Sequence, residues 1–170
     1  MALTEKHKMN KSNGSSDPKE APPRGRRRKF PAPIGALLGL TLTSAEPGHA
    51  TIEFQAGAKH ANPMGTLHGG VLCDIADAAM GAAYRSTLAE GETFTTIELK
   101  INFLRPVWNA RLRAAAKVVR AGKIVGLVEC DILDDHERLV ARAASTCMTL
   151  RGRLAEQRGL PPASATPTTG

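Results

Sequence analysis

The sequence predicts an α+β domain in which one long central helix is wrapped by a curved antiparallel sheet of five to six strands. Three observations lead there. Apolar and polar residues alternate with period 2 in run after run, the mark of strands with one face on a core and one in water. A single segment, GGVLCDIADAAMGAAY from Gly69 to Tyr84, breaks that alternation and is apolar around nearly its whole circumference. The order, two strands, one helix, then four strands, is not the βαβ alternation of a parallel sheet.

Taken in chain order, 37–44 is a short strand candidate. In 49–56, Ala50, Ile52 and Phe54 alternate with His49, Thr51, Glu53 and Gln55. Gly69–Tyr84 then offers about four helical turns. With so few polar residues it must be buried, and its Ala and Gly residues allow a sheet to approach closely. In 96–104, Ile97, Leu99, Ile101 and Phe103 face one way, and Thr96, Glu98, Lys100 and Asn102 the other. In 111–119, Leu112, Ala114, Ala116 and Val118 oppose Arg111, Arg113 and Lys117. In 124–133, Ile124, Val128, Cys130 and Ile132 share a face, with Glu129 and Asp131 opposite. The run 138–150 is apolar but alternates poorly. Ala121-Gly122 and Asp134-Asp135-His136-Glu137 read as hairpin turns, so the last four strands are expected to form an antiparallel meander.

At 170 residues, 42% of them hydrophobic, the chain builds one core without disulfide or metal staples. The net charge of +7 suggests nucleic acid until it is located. Nine Lys or Arg and three acidic residues fall within 1–29, leaving the body nearly neutral, so no nucleic-acid-binding face is expected on the domain. Residues 1–29 are read as a disordered basic tail, 30–151 as the domain and 152–170 as a flexible C-terminal tail. Cys73, Cys130 and Cys147 are odd in number and lack metal spacing, which fits a reducing compartment. No run approaches the roughly 18 apolar residues of a membrane helix, and no secretory signal opens the chain. A cytoplasmic protein with no membrane partner and no cofactor is expected.

Asn62, Gly65, His68, Gly69, Gly70, Asp74 and Asp77 crowd into the entrance and first turns of the predicted helix. A helix N-terminus offers unpaired N–H groups and a partial positive charge, which polarise a carbonyl or hold a developing oxyanion. Glycines at 69 and 70 leave those donors open to a substrate. Asp77 is a carboxylate on an otherwise apolar helix, whereas Asp74 suits the helix dipole. Taken singly, His68 reads better as a helix-entrance residue, Asn62 as a turn former before Pro63, and Cys73 as a small buried core residue than as catalytic groups.

The stretch NPMGTLHGGVLCDIADAAMG resembles the signature of the hotdog-fold acyl-CoA thioesterases of the phenylacetyl-CoA thioesterase type, within the 4-hydroxybenzoyl-CoA thioesterase superfamily. The similarity runs on through TTIELKINFLRPVWNARLRAAAKVVRAGKIVGLVECDIL and covers roughly 36–150. The resemblance implies a hotdog fold and two subunits paired edge to edge, as a homodimer or a homotetramer, with active sites at the interface. It implies hydrolysis of an acyl- or aryl-CoA to free acid and coenzyme A without a cofactor. Gly69 would be the backbone oxyanion donor, Asn62 its side-chain helper, and His68 a support for the carbonyl-binding turn. Asp77 from the partner's helix would be the base or nucleophile, and Thr96 would help position water. Alternation sets Thr96 with Glu98 and Lys100, so it reaches the helix only where the strand's start is irregular or meets the second subunit. Coenzyme A phosphates require cations, and Arg105, Pro106 and Trp108 together with Arg120, Gly122 and Lys123 are the candidates by resemblance. The alternative is a hotdog domain that binds an acyl thioester or serves assembly without turnover. Four Phe, one Tyr and one Trp in the whole chain favour an aliphatic pocket over an aryl-stacking one.

Overall fold

The computed structural model describes residues 28–158. The elements are β1 (Arg28–Lys29), α1 (Pro33–Leu38), β2 (Thr41–Glu46), β3 (His49–Gln55), a 3₁₀ turn (Ala58–His60), α2 (Gly69–Arg85), β4 (Thr93–Phe103), β5 (Arg111–Ala121), β6 (Val125–Leu133), β7 (Leu139–Leu150) and α3 (Arg153–Glu156). All neighbouring strands run antiparallel, in the order β1-β2-β3-β5-β6-β7-β4. The sheet wraps α2, which touches every strand from β2 to β7. This is the α+β architecture expected, with six long strands and a two-residue edge piece. The expected disordered tail falls largely on residues 1–27, outside the described residues, as do 159–170 of the expected C-terminal tail. Arg28 and Lys29 pair with β2, and residues 153–156 form a short exposed helix.

Alternation places the core as read. Ile52 and Phe54 of β3, Leu112, Ala114 and Ala116 of β5, and Val128, Cys130 and Ile132 of β6 are buried against Leu72, Ile75, Ala76, Ala79, Met80 and Ala83 of α2. At about 25 cal/mol per Å² of apolar surface removed from water, this one contiguous cluster is the principal stabilising term. Its other face carries exposed pairs such as Arg142–Asp131, with bonds of 2.6 and 2.8 Å, which contribute little individually.

Four expectations are corrected. Residues 37–44 are not one strand, because Pro33 starts a helix at its first turn and Gly39, at φ 77°, ends it before β2 begins. The last four strands are not one meander. The connection 104–110 passes the entrance of α2, where Leu67 N–H donates to Val107 O at 2.6 Å, and β4 therefore lies on the far side of β7 as an edge strand. Ile124 is 64% exposed in the β5–β6 turn and Ile97 is 54% exposed at an irregularity in β4, so neither joins the core. Finally, α2 is not buried all round. The sheet covers one side, while Gly70, Asp74, Asp77 and Arg85 lie on an open face among the partly covered small residues Ala78, Gly81 and Ala82.

Candidate active site

The loop before α2 is shaped by Asn62. Its Oδ1 accepts the N–H groups of Met64 at 2.9 Å and Thr66 at 3.2 Å, and its Nδ2 donates to Thr66 Oγ1 at 2.9 Å. Gly65, at φ 82°, occupies the left-handed region that this turn requires. The loop is tied down by His68 N–H donating to His60 O at 2.9 Å and by the Ala61–Leu67 bridge. His68 is the N-cap of α2. Its Nδ1 accepts Gly70 N–H at 2.9 Å, and a Cβ at position 70 would stand 3.0 Å from that ring nitrogen, so a side chain there would press on the cap. With Gly70 N–H taken by the cap, Gly69 N–H is the first donor of the helix without an acceptor among the described residues. Phe103 lies over Gly69, so that a Cβ there would meet its ring at 3.0 Å. Asn62, Gly69, Phe103, Arg105 and Pro106 line one hollow of about 470 Å³ at this end of the helix.

Two turns along α2, Thr96 Oγ1 donates to Asp77 Oδ1 at 3.1 Å. Simple alternation turns Thr96 away from the helix, but β4 carries an extra residue between Thr96 and Glu98 against β7. Pairing passes from Thr96↔Cys147 directly to Glu98↔Thr146, so Phe94, Thr96, Leu99 and Ile101 share the helix side while Ile97 is expelled. Below this pair lies Cys147. Burial pushes its thiol up, hydrogen bonds with Ser145 and Thr96 oppose that, and the Asp77 charge adds to the rise. Burial likewise raises Cys73, with the Asp74 charge adding, and it pushes Cys130 up to about 12. None of the three thiols is a ready thiolate nucleophile at neutral pH.

The sequence-predicted residues thus form two groups. Asn62, His68, Gly69 and Arg105 gather at the mouth of α2, with Pro106 beside them. Asp77 and Thr96 meet eight residues further along, about 12 Å by helical rise. A carbonyl group spans only one of these within a single chain. The hairpin with Arg120, Gly122 and Lys123 lies at the opposite end of β5 from the Arg105–Trp108 segment, about 30 Å away by strand rise. Trp108 is exposed, and so are Arg105, Arg120 and Lys123. Beside Asp77 opens a cavity of about 530 Å³ that sequence reasoning missed, walled by Phe30, Ile34, Leu42, Ala78, Gly81 and Phe94. The available signal was the apolar stretch FPAPIGALLGL directly after the basic tail, with its Pro and Gly helix punctuation.

One buried group has no role in this arrangement. His60 is 8% exposed, tilts against Phe54 with ring centroids 4.7 Å apart, and has no hydrogen-bond partner on either ring nitrogen. Burial holds it below its ordinary value, and the Lys59 charge adds to the effect. Among the described residues no cluster of three metal-ligating side chains occurs, and no helix is long and apolar enough to cross a membrane.

The family profile described as the thioesterase superfamily matches residues 64–141. A provisionally named esterase of Saccharolobus solfataricus is 31% identical over 121 residues, covering 71% of this chain and 86% of that protein. The medium/long-chain acyl-CoA thioesterase YigI of Escherichia coli is 28% identical over 131 residues, covering 68% of this chain and 84% of its own. Among solved structures, the Escherichia coli PaaI protein of the phenylacetic acid degradation operon superposes with a TM-score of 0.67 at 27% identity, over 72% of this chain and 87% of its own. The sheet-wrapped helix of the present chain is the hotdog fold of that group.

Proposed function

The chain belongs to the thioesterase superfamily, and from that membership and the geometry of α2 we propose that it hydrolyses an acyl-CoA thioester to the free acid and coenzyme A. The observation that carries this reading is Asp77, a carboxylate on the open face of the central helix, held at 3.1 Å by the hydroxyl that the β4 irregularity turns toward it. Thioester hydrolysis needs a donor for the carbonyl oxygen and a group that supplies an electron pair on the other side of the carbon. Gly69 N–H, at the positive end of the α2 dipole, supplies the first. Asp77 supplies the second, either by taking a proton from the attacking water or by attacking the acyl carbon itself. Thr96 fixes one carboxylate oxygen and leaves the other for the reaction. His68 holds Gly69 in register by capping the helix, and Asn62 acts chiefly by shaping the turn, with one Nδ2 hydrogen still free of the bonds described.

Because Gly69 and Asp77 stand about 12 Å apart on one helix, a complete site takes Gly69 from one protomer and Asp77 from a second. The outer edge of β4, unpaired among the described residues, supports a homodimer built edge to edge, with a homotetramer as a dimer of such dimers. Arg105 shares a hollow with Gly69 and supports a contact to the coenzyme A phosphates, and the exposed Trp108, three residues on, offers a face for the adenine. The Arg120–Lys123 hairpin reaches the same nucleotide only from another protomer. Three free thiols fit a cytoplasmic location. The decisive experiment is a hydrolysis assay over acyl-CoA thioesters with the parent and with Asp77→Asn. The variant is expected to lose about 10²- to 10⁴-fold in kcat with little change in KM. A parent that binds acyl-CoA without turnover would instead establish the non-catalytic binding domain.

A further inference from the structure

The cavity beside Asp77 is lined mainly by apolar side chains. Its floor is one stripe of α2, in which Asp74, Asp77, Ala78, Gly81, Ala82 and Arg85 follow one another at helical spacing. Its opposite wall is the arm before the sheet, with Phe30 and Ile34 on one side of α1 and Leu40 and Leu42 leading into β2. Phe94 of β4 closes the long side and touches the floor closely: a Cβ at Gly81 would meet its ring at 3.2 Å. Phe30 is folded back on the arm by Gly35, where a Cβ would meet the Phe30 ring at 2.7 Å. The polar groups stand at the two ends, the carboxylates at one and Arg85 with Ser86 at the other. A cavity of about 530 Å³ is within the range that takes a small ligand.

We propose that this groove is the acyl-chain site and that its length selects straight aliphatic thioesters of medium length, about C8 to C12, over both short acyl groups and aryl groups. The proposal rests on Asp77 as the catalytic carboxylate, since only then does the thioester carbon lie at the acidic end with the chain running from it. From Asp77 to Arg85 the helix rises about 12 Å. A staggered chain of C–C bonds of about 1.5 Å advances about 1.25 Å per carbon, so about ten carbons span the apolar floor before the guanidinium. Longer chains meet Arg85 and water. A single aromatic ring fills one turn of the groove and leaves the remaining wall without contacts. The small residues Ala78, Gly81 and Ala82 give a smooth floor, and Ile34 is the wall residue placed to set its width. The groove opens onto Asp77 itself, so an acyl chain continues into it directly from the carboxylate.

The test has two arms on the full chain. In the first, kcat/KM is measured for saturated acyl-CoAs from C2 to C16 and for benzoyl- and phenylacetyl-CoA. Each methylene buried is expected to raise kcat/KM about threefold, so decanoyl-CoA exceeds butyryl-CoA by nearly three orders of magnitude and the profile flattens or falls beyond C12. In the second, calorimetry compares the non-hydrolysable thioethers S-decyl-CoA and S-butyl-CoA, which reads the groove without turnover. Ala82→Leu, which fills the floor, should cut the decyl-to-butyl ratio at least tenfold in both arms. Ile34→Trp, from the exposed arm, should do the same if the floor variant fails to fold. Turnover with a profile indifferent to length, or one led by the aryl thioesters, overturns the groove assignment while leaving the thioesterase reading intact. Equal affinity for the two thioethers overturns it too, and would fit a groove filled by residues 1–27 or by a second copy. Tighter S-decyl-CoA binding that is lost in Ala82→Leu, in a protein that hydrolyses nothing, supports the groove and sinks the enzyme.

Discussion

If the oxyanion donor and the carboxylate come from different protomers, two inactive chains should repair each other. The first variant is Asp77→Asn, expected to cost about 10²- to 10⁴-fold in kcat. The second must delete Gly69 N–H without breaking the helix, and proline does this. Position 69 is the first residue of α2, where a missing N–H is tolerated, and His68 before it already has the extended backbone (φ −65°, ψ 132°) that a following proline demands. The Cβ of the new residue would press on the ring of Phe103, which is 54% exposed and has room to shift. Losing one oxyanion donor costs about 10²- to 10³-fold. When the two variants are unfolded together and refolded in equal amounts, about one site in four combines a native Gly69 with a native Asp77. Activity should therefore recover to about a quarter of the parent, at least an order of magnitude above either variant alone. The assay is acyl-CoA hydrolysis on the mixed and separately refolded samples, with melting curves confirming that both variants fold. A mixture no more active than its components would refute the two-chain site, because a site within one chain always keeps one lesion.

Thr96→Val keeps the shape of the side chain and removes the bond to Asp77. A hydrogen bond to a charged group at this exposed position is worth enough to lower kcat about tenfold with KM unchanged; steady-state kinetics giving parental kcat would make the contact incidental. His60 binds its proton more weakly when folded than the ordinary value of about 6.5, so below that pH the unfolded chain takes up more protons and stability falls as pH drops toward the folded value. Urea unfolding at pH 7 and pH 5.5 should show a smaller loss for His60→Leu than for the parent, and an identical loss would mean that His60 is not the group responsible.

Much of this molecule is written in local pattern. The helix at 69–85, the strands β3, β5 and β6, both late hairpin turns and the placing of Asn62, His68 and Gly69 at the helix entrance with Asp77 two turns along follow from periodicity and spacing, because each depends on neighbours within a few residues. The signal of α1 was present too, in Pro33 and Gly39, but an apolar stretch of that length reads as strand or helix alike. Tertiary structure alone decided the rest. It carried β4 across to β7, since strand order is settled by where the 104–110 connection can pass over the helix rather than by any residue within β4. It inserted the extra residue at Ile97 that turns Thr96 to Asp77, a phase change that alternation cannot announce because it exists only against the partner strand. It left one face of α2 uncovered and laid the Phe30–Leu42 arm along it, which turned a buried-looking helix into the floor of a groove.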